Sequence, residues 1–141
     1  MVFTMLTPVL LLVLWTLIML VWMAYQRVPK LFAQARAGNM PSRRTQELTG
    51  LPPQTVWAAD NYNHLHEQPT LFYALCVYSH LVGVADSINI GLALSYVGLR
   101  VVHSVIQCTK NNALMRFRVF ALASVVLLVI ALRNLLVLFI G

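Results

Sequence analysis

Residues 60–72 read Asp-Asn-Tyr-Asn-His-Leu-His-Glu-Gln-Pro-Thr-Leu-Phe, which gathers acids, amides and two histidines in a chain that is only 10% charged. On a helix, Asp60, Asn63, His64 and Glu67 fall at i, i+3, i+4 and i+7 and share one face, with Tyr62, His66 and Tyr73 pointing elsewhere. Arg100, His103, Ser104 and Gln107 repeat that spacing and form a second polar stripe. The stretch leads into the apolar run 70–84. At bilayer depth a polar group costs several kcal/mol unless paired or wetted, roughly 2.5–3.5 kcal/mol for a charged side chain on insertion scales. A cluster of this kind is therefore a candidate functional site. The plainer reading is an interfacial helix start that faces water.

Glu67 and Arg100 each lie about ten residues from the inner end of their helices, ~15 Å deep at 1.5 Å per residue. Antiparallel neighbours would bring them level, so a Glu67–Arg100 pair is expected, within one chain or between subunits. Such a pair serves either chemistry or helix register. Arg116 opens the last helix, where unsatisfied backbone N–H groups already make a positive end, and a cation there can hold a thiol as thiolate. Arg118 reads as an inner-face anchor. Arg133, near the opposite end, is expected to snorkel or to pair with a polar group at that surface.

No metal is expected. A carboxylate-bridged di-metal bundle site takes two Glu/His pairs at i, i+3, and only His64 with Glu67 has that spacing. His64 and His66, two residues apart, point to nearly opposite sides of a helix. A metal held by Asp60, His64 and Glu67 is the weakest reading.

The elements that must position these groups follow from composition. The chain has 141 residues, 60% of them hydrophobic, and a mean hydropathy of +0.76. A soluble domain has about 45–50% apolar and about 25% charged residues. At ~20 residues per crossing the chain holds four spans and short loops in a single domain, residues 1–141. The expected fold is an all-α integral membrane four-helix bundle, with spans at about 5–26, 55–84, 88–108 and 113–140. The net charge of +6 sits mostly between spans, so it reads as orientation and contact with anionic lipid headgroups, with no nucleic-acid partner.

No charged side chain occurs in residues 1–26. Without a basic start or a small-residue cleavage site this reads as an uncleaved first span, its Trp15, Trp22 and Tyr25 toward the interface. The connection 27–53 carries Arg27, Lys30, Arg36, Arg43 and Arg44 against a single Glu47. By the positive-inside rule it is cytoplasmic, and both termini are outside. Residues 30–37 are expected to form a separate amphipathic surface helix, with Gly38, Pro41, Gly50, Pro52 and Pro53 as breakers. A kink is expected at Pro69, which has no N–H for the carbonyl of Leu65. Cys76 and Cys108 fall in different spans at different depths, so they read as inert thiols rather than a disulfide. Heptads, solenoid periods, nucleotide-binding glycine patterns and a catalytic serine elbow are all absent from the sequence.

The run from Asn63 to Phe72 resembles the Asn…Glu…Pro…Phe signature of the MAPEG family, the membrane-associated proteins of eicosanoid and glutathione metabolism. The run from Leu99 to Arg116 resembles the Arg-Val-x-His-Thr-Val…Arg segment of that family's microsomal prostaglandin E synthase branch. The resemblance covers the whole four-span plan, with two motifs in the right order. It implies a homotrimer with glutathione held between neighbouring subunits on the cytoplasmic side. Glu67 would then bind the tripeptide's amino group, with Asn63, His64, Arg100, His103 and Gln107 shaping the pocket and Arg116 stabilising the attacking thiolate. The sequence departs from the pattern at Asp60, where glutathione-using members carry a basic residue. His64 stands where the asparagine is expected, Gln107 where a tyrosine often lines the pocket, and Phe117 where a small hydroxyl can occur.

The function expected from this resemblance is a glutathione- or thiol-dependent transferase or peroxidase. It would act on apolar electrophiles at the inner leaflet of a bacterial inner membrane, with lipids and further copies of the chain as partners. The alternative is a non-catalytic membrane subunit or scaffold whose polar cluster fixes helix packing.

Overall fold

The computed structural model describes residues 4–38 and 51–140, and the regular structure among them is helical throughout. The helices are α1 (Leu6–Arg36), α2 (Pro53–His64), α3 (Gln68–Leu81), α4 (Ser87–Thr109) and α5 (Ala113–Ile140). Three of them, α1, α4 and α5, are long and apolar enough to cross a membrane. α2 and α3 together make the remaining traverse, both packed along α1. The chain is an all-α membrane bundle in four passes, as the sequence leads one to expect.

In α1 only Pro8, Leu12 and Met19 are buried. Their spacing draws one stripe along the helix, while Leu10, Leu17 and Val21 face outward, as side chains solvated by lipid tails do. The expected separate surface helix over residues 30–37 is corrected. α1 runs on through Pro29 to Arg36. Pro29 removes a single backbone donor, and packing against α2 holds the two halves in line, aided by a hydrogen bond from Lys30 Nζ to Thr55 Oγ1. Gly38, at φ +74°, takes the left-handed conformation that ends the helix. Pro41, Arg43, Arg44, Glu47 and Gly50 lie outside the described residues.

The second traverse also differs from expectation. In place of one kinked helix over 55–84 there is a full break at residues 65–67. The backbone closes it with short-range bonds, Leu65 N to Asn61 O at 3.1 Å and His66 N to Asn63 O at 2.9 Å. Helix resumes at Gln68, which places Pro69 within the first turn, where a missing N–H costs nothing. The proline's disruption is thus moved upstream of the proline itself.

α4 is the central element, packed against α1, α2 and α5. Its buried stripe is polar at both ends and apolar in the middle: Asn89, then Ala93, Tyr96 and Val97, then Arg100, His103, Ser104 and Gln107. Tyr96 stacks on Phe72 of α3 at 4.5 Å between ring centroids, which anchors the middle of the bundle. Asp86 caps α4 by accepting from Asn89 N at 2.7 Å. Asn112 caps α5 by accepting from Met115 N at 3.0 Å. These caps fix where Arg100 and Arg116 stand.

A charged cleft at the basic end of the bundle

The end of the bundle that carries Arg27, Lys30 and Lys110 also holds a cleft of about 310 Å³, lined by His64, Glu67, Gln68, Arg100, His103, Ala113, Arg116, Phe117 and Phe120. Five of the sequence-selected residues meet there: His64 at the end of α2, Glu67 in the break, Arg100 and His103 on α4, and Arg116 in the first turn of α5. Two others do not line it. Gln107 is buried behind His64, whose Nδ1 lies 3.1 Å from Gln107 Oε1. Asn63 is exposed and turned away. Asp60 lies within electrostatic reach of Arg27 on α1 and is likewise outside the cleft. His66 turns away from it too, its Nδ1 2.8 Å from the carbonyl of Tyr62.

The break in the second traverse determines how Arg100 is held. A helix interrupted at bilayer depth leaves carbonyls without donors, each of which must find one. Arg100, 2% exposed, donates from Nη2 to the carbonyl of His64 at 2.7 Å. The expected Glu67–Arg100 ion pair is therefore corrected within the chain. Leaving the helical register turns Glu67 outward and exposes it, while Arg100 is committed to main chain. The salt bridge found among the described residues is Asp86–Arg133, at the opposite end.

Behind the lining runs a string of hydrogen bonds that includes Gln68, a residue the sequence reading passed over. Tyr96 OH donates to Gln68 Oε1 at 3.2 Å. Gln68 Nε2 donates to Ser124 Oγ at 2.7 Å, and Ser124 donates to the carbonyl of Phe120 at 2.9 Å. This ties the first turn of α3 to α4 and α5 and fixes the floor of the cleft. Ala113, Arg116, Phe117 and Phe120 were available as a signal, since they recur at i, i+3, i+4 and i+7 and draw one stripe along α5. That stripe supplies an apolar wall, with Phe117 65% exposed.

Several buried polar atoms of the cleft have no protein partner: Nε of Arg100, Nε of Arg116 and Nδ1 of His103. Two guanidinium groups lining a partly apolar cleft suit an anion, and an exposed carboxylate beside them suits a cation. Among the described residues no three His, Cys, Asp or Glu side chains come together as a metal site. Cys76 and Cys108 are both unbridged.

This arrangement sits on a chain whose residues 5–136 match the model of the MAPEG family. The chain belongs to the MAPEG family. No curated protein and no solved structure gave a match. Family membership agrees with the bundle of membrane helices described above, and this MAPEG protein sets its charged cleft between the broken second traverse and the last two helices.

Proposed function

We propose that the cleft binds glutathione or a similar small peptide thiol. The protein would then act as a thiol transferase, or a thiol-dependent peroxidase, on apolar electrophiles that reach it from the inner leaflet. The observation that carries this reading is the set of unmatched charges. Nε of Arg100 and Nε of Arg116 have no protein acceptor, and Glu67 presents an exposed carboxylate in the same cleft. A peptide thiol carries groups of the complementary signs, its carboxylates for the arginines and its ammonium for Glu67. Asp60, the one residue of wrong sign for a tripeptide carboxylate, lies outside the lining.

In this reading no protein nucleophile is needed. The thiol sulfur attacks, Arg116 stabilises its negative charge, and Phe117 and Phe120 receive the apolar partner beside it. The homotrimer, the cytoplasmic placement of the basic end, and the bacterial inner membrane as its location belong to the same proposal. The test is conjugation of 1-chloro-2,4-dinitrobenzene with glutathione by wild type and Arg116→Ala. A wild-type rate above background that the variant loses is expected. Equal background rates in both would leave the scaffold reading, in which Glu67→Gln disrupts assembly and millimolar glutathione does not raise the melting temperature. A clear thermal shift with the thiol excludes that alternative, because a ligand that binds only the folded state stabilises it.

A further inference from the structure

We infer that His64 is the base of the cleft, held by Gln107 in the tautomer that takes the proton of the incoming thiol. This rests on the thiol reading given above. The argument starts from the hydrogen bond between His64 Nδ1 and Gln107 Oε1 at 3.1 Å. An amide oxygen only accepts, so the hydrogen of this bond belongs to Nδ1. In the neutral imidazole Nε2 is then a lone-pair acceptor, and among the described residues no group bonds it. His64 lines the cleft, whereas Gln107, 1% exposed, stands behind it. That is the arrangement of a base with an orienting partner: one ring nitrogen fixed by a buried acceptor, the other left for a reacting proton.

Two further contacts hold the ring in place. The carbonyl of His64 accepts from Arg100, so the residue is fixed through its backbone as well as its ring. The ring of His103 stands edge-on to it, 6.1 Å between centroids. The titratable groups facing His64 are Arg100 and His103 from α4, Arg116 from α5 and Glu67 from the break. On the α1 side, Arg27 is near Asp60 and Lys30 is bonded to Thr55. The two guanidinium groups in the cleft are placed to receive negative charge and cannot themselves accept a proton, so they do not compete with His64 as the acceptor.

The step balances without a further reagent. The S–H bond breaks, its proton goes to His64 Nε2, and its electron pair stays on sulfur as thiolate. The thiolate forms an S–C bond to the electrophilic carbon. Where that carbon carries a leaving group, the group departs with its bonding pair. Where the electrophile is an activated alkene, the π pair moves to the neighbouring carbon, which takes the proton back from the imidazolium.

Two measurements test this on the full-length protein in detergent. Long-range proton–nitrogen NMR of the histidine side chains, with His64 assigned by its loss in His64→Gln, is expected to show the Nδ1–H tautomer. Gln107→Leu should abolish that preference and Gln107→Glu, which keeps an acceptor oxygen, should retain it. The pH profile of kcat/KM for glutathione with 1-chloro-2,4-dinitrobenzene is expected to have an acid limb that depends on His64. Activity should fall as pH is lowered, because the base must be neutral. His64→Gln should lose that limb and about 10²-fold in rate at neutral pH. The deficit should close above about pH 8.5, where a free thiol ionises without help. An Nε2–H tautomer in wild type, or a His64→Gln profile parallel to wild type, overturns the assignment while leaving thiol chemistry standing. A wild type that neither binds nor turns over glutathione overturns the thiol reading, and the proton transfer with it.

Discussion

The two ends of the bundle treat buried polarity in opposite ways. At the end away from the basic loops, Asp86, Asn89, Arg133, Ser79 and Asn134 are closed on one another. Arg133 donates to Asp86 and, at 2.7 Å, to Asn89 Oδ1. Asn89 donates to the carbonyl of Val84 at 2.7 Å. Asn134 donates to Ser79 Oγ at 2.7 Å and to the carbonyl of Ile130 at 2.9 Å. At the basic end the guanidinium groups of Arg100 and Arg116 and the imidazole of His103 keep buried nitrogens without protein partners. A matched network fixes helix register and leaves no capacity for a ligand. An unmatched one retains that capacity at a cost in stability.

If this division is right, substitutions at the two ends should affect different observables. The largest effect is expected for Arg116→Ala, a loss of about 10²–10³-fold in conjugation rate, the usual scale for one electrostatic donor at a reacting anion. Its melting temperature should stay close to wild type, because no protein group relies on Arg116 Nε. A rate preserved within a few-fold would remove the functional half of the comparison.

Arg100→Ala should act on both observables. It orphans the carbonyl of His64 at bilayer depth, and a buried unsatisfied acceptor costs about 1–3 kcal/mol, read by denaturant titration in detergent. At the opposite end, a double-mutant cycle of Ser79→Ala and Asn134→Ala should give a coupling of about 0.6–1.7 kcal/mol, the range for side-chain hydrogen bonds inside membrane proteins. Conjugation should be unchanged there. The smallest effect is expected for Asp86→Asn, which leaves the α4 cap an acceptor and weakens only the half-exposed pair with Arg133. About 0.2–1 kcal/mol, diminishing with added salt, is the range for such pairs. A drop in activity from either of these variants would show that the ends are coupled.

Much of this contrast can be read in the sequence. The stripe Arg100, His103, Ser104 and Gln107 follows helical spacing, and all four side chains are buried on one face of α4. Arg133 was expected to snorkel or to pair at its own surface, and it pairs there with Asp86. What local pattern cannot supply is how neighbouring elements reset a helix. Pro69 permits a disruption, but its position and extent depend on a donor from α4, thirty-odd residues away in sequence, reaching the carbonyl of His64. Once the break forms, Glu67 leaves the face it shares with Asp60 and His64 in a continuous helix. The expected Glu67–Arg100 ion pair then does not form within the chain, although both residues line the same cleft. α1 departs in the other direction: a separate surface helix was expected over residues 30–37, yet one helix runs through Pro29 to Arg36 with α2 packed against it.

The interruption at residues 65–67 also answers an electrostatic question. Helix ends carry partial charges of about half an elementary unit, negative at the C-terminus. Because α2 stops at His64, its negative end is placed inside the bundle, and the guanidinium of Arg100 is seated on it. A cation at that depth is thereby counterbalanced by peptide dipoles instead of a carboxylate. Part of the compensating charge is built into the backbone, so Arg100 is held without a direct ion pair to Glu67, whose carboxylate stays available to whatever enters the cleft.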